Sequence, residues 1–288
     1  MSQGIFLPLN FNSIWYLGLG TLSLILLSFV FFKSKNYRSL LLFLGMIGVG
    51  YTIEFVIYVL LESYAYNPQI IARDAYYDNN MGAIASNMLT LPVTAALIAV
   101  FRLNWIWIAV ITGLVLGVEW LFEKLGIYRH YWWRLGYTAI GLPVYYGLAR
   151  AWFTRLMLPL KGFLHALTLF FITWALFTMQ FFAIAFFNSR YYQLGWFDSR
   201  SHDTTAMTSI FGILFSIFFV WVLKHNWKYK WLKYMLPPVV ISGVYMIFDI
   251  IGVLHSLVWW DYWYCFGVNL FVLIAVDAIS RRLRNGPG

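Results

Sequence analysis

Nine predominantly apolar stretches of about twenty residues, most of them joined by short connections, leave this chain few folding options. They run at roughly 12–32, 40–61, 82–101, 105–125, 136–153, 162–187, 205–223, 235–257 and 261–279. At about 1.5 Å of rise per residue, some 20 helical residues cross the roughly 30 Å hydrocarbon core of a bilayer. A helix also satisfies its own backbone donors and acceptors, which lipid cannot do. Packing the same stretches into a water-soluble domain fails on surface chemistry. Charged residues make up 11% of the 288, whereas a soluble domain carries about 25%. The expectation is an all-α fold, a polytopic transmembrane helix bundle of about nine spans, forming a single integral membrane domain over residues 1–288.

Charge orients the bundle. Lys33, Lys35 and Arg38 lie in one connection, Arg102 follows the third span, and Arg150, Arg155 and Lys161 follow the fifth. Lys224, Lys228, Lys230 and Lys233 follow the seventh, and Arg281, Arg282 and Arg284 lie in the tail. Nine spans put these fourteen of the twenty basic residues on one side. Cytoplasmic loops collect Lys and Arg, so the N-terminus is expected outside and the C-terminus in the cytoplasm. The same rule accounts for the net charge of +9 without a nucleic-acid partner. The opening "MSQGIFLPLNF" has no Lys or Arg, and the long apolar run behind it reads as a retained span rather than a cleaved signal. A single cysteine, Cys265, excludes an intrachain disulfide framework.

The costly residues are the intramembrane acids. Counted from the cytoplasmic ends of their spans, Glu54, Glu119 and Asp249 each lie about 21 Å in. Glu123 stands one helical turn above Glu119 and about 40° round, on the same face. Ionised carboxylates in hydrocarbon cost several kcal/mol, so these side chains are expected to converge on an outward-facing cavity. Two readings stand side by side. Lys124, Arg129, Arg134 or Arg73 neutralises them in buried salt bridges, or they bind or handle something. The segments "GVEWLFEKLGIYRHYWW" and "GVYMIFDIIGVLHSLVWW" align through Phe-acid and Gly-aliphatic pairs, and Leu-Pro-Val recurs at 91–93 and 142–144. Parallel helical-hairpin repeats are therefore expected in spans two–three and four–five, and in eight–nine.

Aromatic rings crowd the same end, at "YRHYWW" (128–133) and "VWWDYWY" (258–264). Rings of this kind populate the membrane interface, and they also suit the mouth of a lipid-binding cleft. The candidate ligand-binding set is Glu54, Glu119, Glu123, Asp249, His130, Trp132 and Trp133, and Glu119, Glu123 and Asp249 are the candidate catalytic acids. His130, His202 and His255 fall on the outer side and could ligate a divalent metal, although no HxxxH or HExxH spacing supports it. Asp277 is placed to pair with Arg281 one turn on. "NWKYKWLKY" (226–234) alternates basic and aromatic residues, which suits anionic headgroups. Gly113 with Gly117, and Gly45, Gly48 and Gly50, read as close-packing positions. No motif implies a particular cofactor.

Residues from about Asn87 to Arg155, through Glu119, Glu123 and the Tyr128–Trp133 cluster, resemble an uncharacterised family of multi-pass proteins from Bacillus- and Clostridium-type bacteria. That resemblance implies a bacterial plasma-membrane protein. Glu123 to Gly126 followed by Trp132, and Asp249 to Gly252 followed by Trp259, are similar to a pattern in membrane carotenoid cyclases and hydratases, although their Pro-x-Glu-Glu element is not present. Two function classes follow. One is a protein that binds or transports a cation, a proton or a small amphiphile at the carboxylate-lined cavity, with membrane lipids as partners. The other is an intramembrane enzyme acting on an isoprenoid or lipid, with a glutamate as general acid.

Overall fold

The computed structural model describes residues 9–285, and among these it is built of nine long helices and four three-residue strands. Eight of the helices are long and apolar enough to cross a membrane. The other, Leu135–Leu156, has the length, 22 residues, but is less apolar and carries Arg150 and Arg155. The chain is thus a helical multi-pass membrane protein by length and composition. Contacts divide it into two compact units, Met1–Leu158 and Pro159–Gly288, each described here by itself.

In the first unit α1 (Phe11–Ser34), α2 (Tyr37–Leu60), α3 (Ala75–Val100), α4 (Trp105–Lys124) and α5 (Leu135–Leu156) follow in order. Side-chain caps start four of them: Asn10, Asn36, Asp74 and Asn104 each accept from first-turn N–H groups. The Asp74 cap explains why α3 begins seven residues before its apolar run does. Helix α3 packs against α1, α2 and α5 around fully buried Leu42, Met46, Ile98 and Tyr146. Both α2 and α3 contain wide π-helical turns, at Phe55–Leu60 and Ile84–Thr90. The second ends just before Pro92, which has no N–H to give and cannot continue a regular α-ladder.

Between these helices, β1 (Tyr64–Tyr66) pairs antiparallel with β2 (Tyr128–His130), setting Tyr64 opposite His130 and Tyr66 opposite Tyr128. The strands lie at what is called here the strand end of the unit. At the other end Arg38 leaves the solvated role its sequence position suggests. It is fully buried and donates to the carbonyls of Leu156 and Leu158, capping the negative end of α5.

The second unit runs α6 (Gly162–Phe187), β3 (Arg190–Tyr192), α7 (Arg200–Lys224), α8 (Leu232–Ile250), β4 (Leu254–Ser256) and α9 (Asp261–Arg284). Helix α8 stops at Ile250 rather than near 257, because Gly252 turns the chain at φ +74° and β4 then pairs with β3. Asp277 accepts from Arg281 as its spacing suggests, and also from Lys233 and from the Tyr234 hydroxyl, the last at 2.7 Å.

Local details of the first unit recur 126 residues later. Gly126 (φ +72°) donates to Glu123 O, and Gly252 donates to Asp249 O. Asn67 N donates to Ile127 O as Gln193 N does to Val253 O, both at 2.9 Å. Tyr131 N donates to Ser63 O and Leu257 N to Ser189 O. Glu62 and Asn188, which precede those serines, both take left-handed backbone, at φ 45° and 50°. Asp78 accepts three N–H groups of the chain after β1, Gln69 to Ile71, at 2.6–2.8 Å. Asp203, 125 residues after Asp78, accepts four after β3, Leu194 to Phe197, at 2.7–3.1 Å.

Candidate functional site

The first unit encloses a cavity of about 430 Å³, walled by all five of its helices and by both strands. Most of the wall is hydrocarbon: Leu19 and Leu26 of α1, Leu91 and Leu97 of α3, and Ile111, Val115 and Val118 of α4. Polar groups gather toward the strand end. A container of this composition favours an apolar guest with one polar extremity.

Glu54 is the most exacting of those polar groups. It is the last residue of α2 before the π turn, and it is 7% exposed. Its Oε1 accepts from the Tyr64 hydroxyl, while among the described residues Oε2 has no hydrogen-bond partner. Rings form a shell about it. Tyr58 stacks on Tyr64 at 5.7 Å, Tyr66 lies 5.0 Å from Tyr128, and Trp133 sits edge-on to Tyr64 at 5.9 Å. Tyr66 fits because Gly82 beneath it has no Cβ. Burial drives the Tyr64, Tyr66 and Tyr128 hydroxyls well above the ordinary tyrosine range, so these three stay neutral donors.

Glu119 reaches the same cavity from α4. Its Oε1 lies 2.8 Å from His130 Nε2 and accepts from Thr138 Oγ1 at 3.1 Å. The other imidazole nitrogen, Nδ1, lies 3.1 Å from Oε1 of Glu123. The side chain that meets both of these acids is therefore His130. Arg134 donates instead to the carbonyls of Tyr131 and Trp133, and the Arg129 guanidinium lies over the Tyr131 ring.

The structure brings together Glu54, Glu119 and Trp133 in the cavity wall, with His130 behind Glu119 and Glu123 outside it. Trp132 is 41% exposed and donates to Leu61 O. Asp249 is an exposed residue of α8 in the second unit. His202 is buried in the first turn of α7 against the Phe197 ring, and His255 stacks on Tyr191. Among the described residues no three His, Cys, Asp or Glu side chains converge as metal ligands would. Tyr64, Tyr66 and Asn87 are cavity residues that the sequence did not single out, and Tyr128 stood out only as part of an aromatic cluster. The available signals were the alternating "SYAY" and a lone asparagine within an apolar run.

The cavity has a side facing the surroundings of the unit. At its strand end, Trp15 and Tyr16 of α1 pack edge-on against Phe122 of α4, at 6.1 and 5.1 Å, and the Tyr16 hydroxyl donates to Ile127 O. Below this lintel the wall includes Leu114, which is 65% exposed. The opening is thus lined by apolar side chains.

The second unit fills the corresponding region differently. Arg190, at Tyr64's place in the 126-residue register, is 1% exposed. Its Nε donates to both oxygens of Asp261, at 3.1 and 2.9 Å, and an Nη donates to Cys265 Sγ. The guanidinium lies 4.4 Å from the centroid of Tyr245, the counterpart of Glu119. Gln180, the counterpart of Glu54, donates to Asn269 Oδ1 at 3.0 Å. Comparison of the whole chain finds no matching family model, no matching curated protein and no matching solved structure.

Proposed function

We propose that the first unit binds a membrane amphiphile, taking its apolar chain from the bilayer between α1 and α4 and seating its polar end among Glu54, Glu119 and the tyrosine shell. One observation carries this reading: an apolar cavity open beside Leu114 that ends at a buried carboxylate oxygen with no hydrogen-bond partner among the described residues. A pore for free ions would need polar groups along its length, and here the charged ones, Glu54 and Glu119, lie toward one end. By the distribution of Lys and Arg, that end faces outside, and the resemblance to the bacterial multi-pass family implies the plasma membrane. A fatty alcohol bearing a photoactivatable diazirine in its chain tests the binding. Crosslinks are expected on α1, α4 and α5 around Leu19, Leu114 and Gly141, and they should vanish in Gly141→Phe, whose new side chain enters open space in the wall. Equal labelling of wild type and variant would refute it.

A second reading is favoured by the surroundings of Glu54. A carboxyl without a cationic partner, enclosed by π faces, is suited to deliver a proton to a carbon–carbon double bond of an isoprenoid and to stabilise the resulting cation. Lipid and pigment extracts of cells producing wild type and Glu54→Gln discriminate. A product present only with wild type supports catalysis, and identical extracts oppose it.

A further inference from the structure

We infer that the polar end of this amphiphile is a cation, an ammonium or guanidinium group; the inference rests on the amphiphile reading and deepens it. Two independent observations point the same way. The first is charge. Glu54 and Glu119 line one cavity of the first unit, and His130 lies against Glu119 and Glu123. Glu54 is more than nine-tenths buried, lines the cavity, and among the described residues its Oε2 meets no donor. Tyr64, Tyr66, Tyr128 and Trp133 surround that position with ring faces and edges. Carboxylate plus aromatic walls is the chemistry that recognises alkylated ammonium and guanidinium groups.

The second observation is the second unit, which has a guanidinium at the matching register. Arg190 is held there by Asp261, by Cys265 and over the Tyr245 ring. Where this tethered cation is present, the counterparts of both cavity acids are uncharged, Gln180 for Glu54 and Tyr245 for Glu119. Where the acids are present, the tethered cation is replaced by Tyr64. The second unit thus holds a guanidinium already paired with its own Asp261, whereas among the described residues of the first unit no cation is paired with Glu54. Burying either arrangement without its counter-charge would be strongly unfavourable.

The experiment is a head-group series on one chain length, with the full protein in nanodiscs: dodecylamine, dodecylguanidine, dodecanol and dodecanoate. Binding is read as dissociation constants for wild type, Gly141→Phe, and Glu54→Gln with Glu119→Gln. Both cations are expected to bind wild type at least tenfold tighter than dodecanol, and dodecanoate weakest. The double Gln variant should lose that preference while still binding dodecanol. Gln is already the residue at the Glu54 counterpart, Gln180. If the double variant does not fold, the order of the four compounds on wild type decides by itself. Dodecanol binding as tightly as the amines, with Gly141→Phe abolishing all of it, overturns the cationic head group and leaves amphiphile binding standing. Binding unaffected by Gly141→Phe overturns both.

Discussion

A single buried guanidinium shows how much of this molecule is decided residue by residue. Arg190 and Asp261 are each no more than 1% exposed, and neither has water to fall back on. Arg190→Ala would strand Asp261 as an uncompensated charge, at a cost of about 3–5 kcal/mol. The outcome to look for is a lower thermal midpoint in detergent, largely restored when Asp261 is also made Leu. Asp78 and Asp203 act at the same scale, each gathering the backbone N–H groups of a loop that no regular structure satisfies. Asp78→Asn removes a charged acceptor and leaves one of those donors unmet, which destabilises by about 1.5–3 kcal/mol. Asp203→Asn leaves two donors unmet and should cost its own unit at least as much. Tyrosine burial adds a pH dependence. Burial pushes Tyr192 up to about 12 from its ordinary value near 10. The folded state then holds a proton that the unfolded state releases, so this contribution is complete below about pH 10 and is lost as pH rises toward 12. Thermal midpoints between pH 8 and 11 should therefore fall at the alkaline end, and a flat profile would contradict the neutral-hydroxyl account.

At the scale of elements, the long helices were legible in the sequence and the devices that shape the cavity were not. Apolar length is a strong, local signal, and it located every helix to within a few residues except the polar start of α3 and the strand-forming end of the eighth run. The four short strands escaped because three residues at a loop bear no periodicity, and their pairing is set by turns at Gly126 and Gly252. The π turns escaped as well, since nothing in "FVIYVL" or "IASNMLT" distinguishes them from ordinary helix. They matter, because Glu54 sits at the edge of one, and Ser86, Asn87 and Thr90 enter the cavity wall from the other. Wide turns of this kind often mark functional positions in helices. Of the glycines read as packing sites, Gly45 lies against Trp152, where an added Cβ would come within 2.8 Å of the ring. Gly113 and Gly117 have nothing within 4 Å and are exposed, so their spacing reports no helix contact within the unit. Accordingly Gly45→Ala should destabilise by about 1–3 kcal/mol, whereas Gly113→Ala should leave the thermal midpoint unchanged or slightly raised.

At the scale of the whole molecule, composition specified a helical membrane protein, and charge asymmetry gives the direction expected of it. The candidate site was legible in part. Glu54 and Glu119 were identified by the cost of an acid in hydrocarbon, and both line one cavity. Their partners were not, because a histidine eleven residues on and a tyrosine ten residues on reach them only through strand pairing. Orientation can be checked on a chain whose only native cysteine, Cys265, is buried. A cysteine at the exposed Trp132 should react with an impermeant maleimide added outside cells, and one at Lys228 only after the cells are opened. The reverse pattern would invert the assignment.

The most direct measurement of the central claim is native mass spectrometry of the chain released from its own membrane. One amphiphile per chain should survive release from wild type and disappear when Gly141→Phe and Val118→Trp fill the cavity. Adducts of the same mass and occupancy in the filled variants would contradict the account, since the bound molecule would then lie elsewhere.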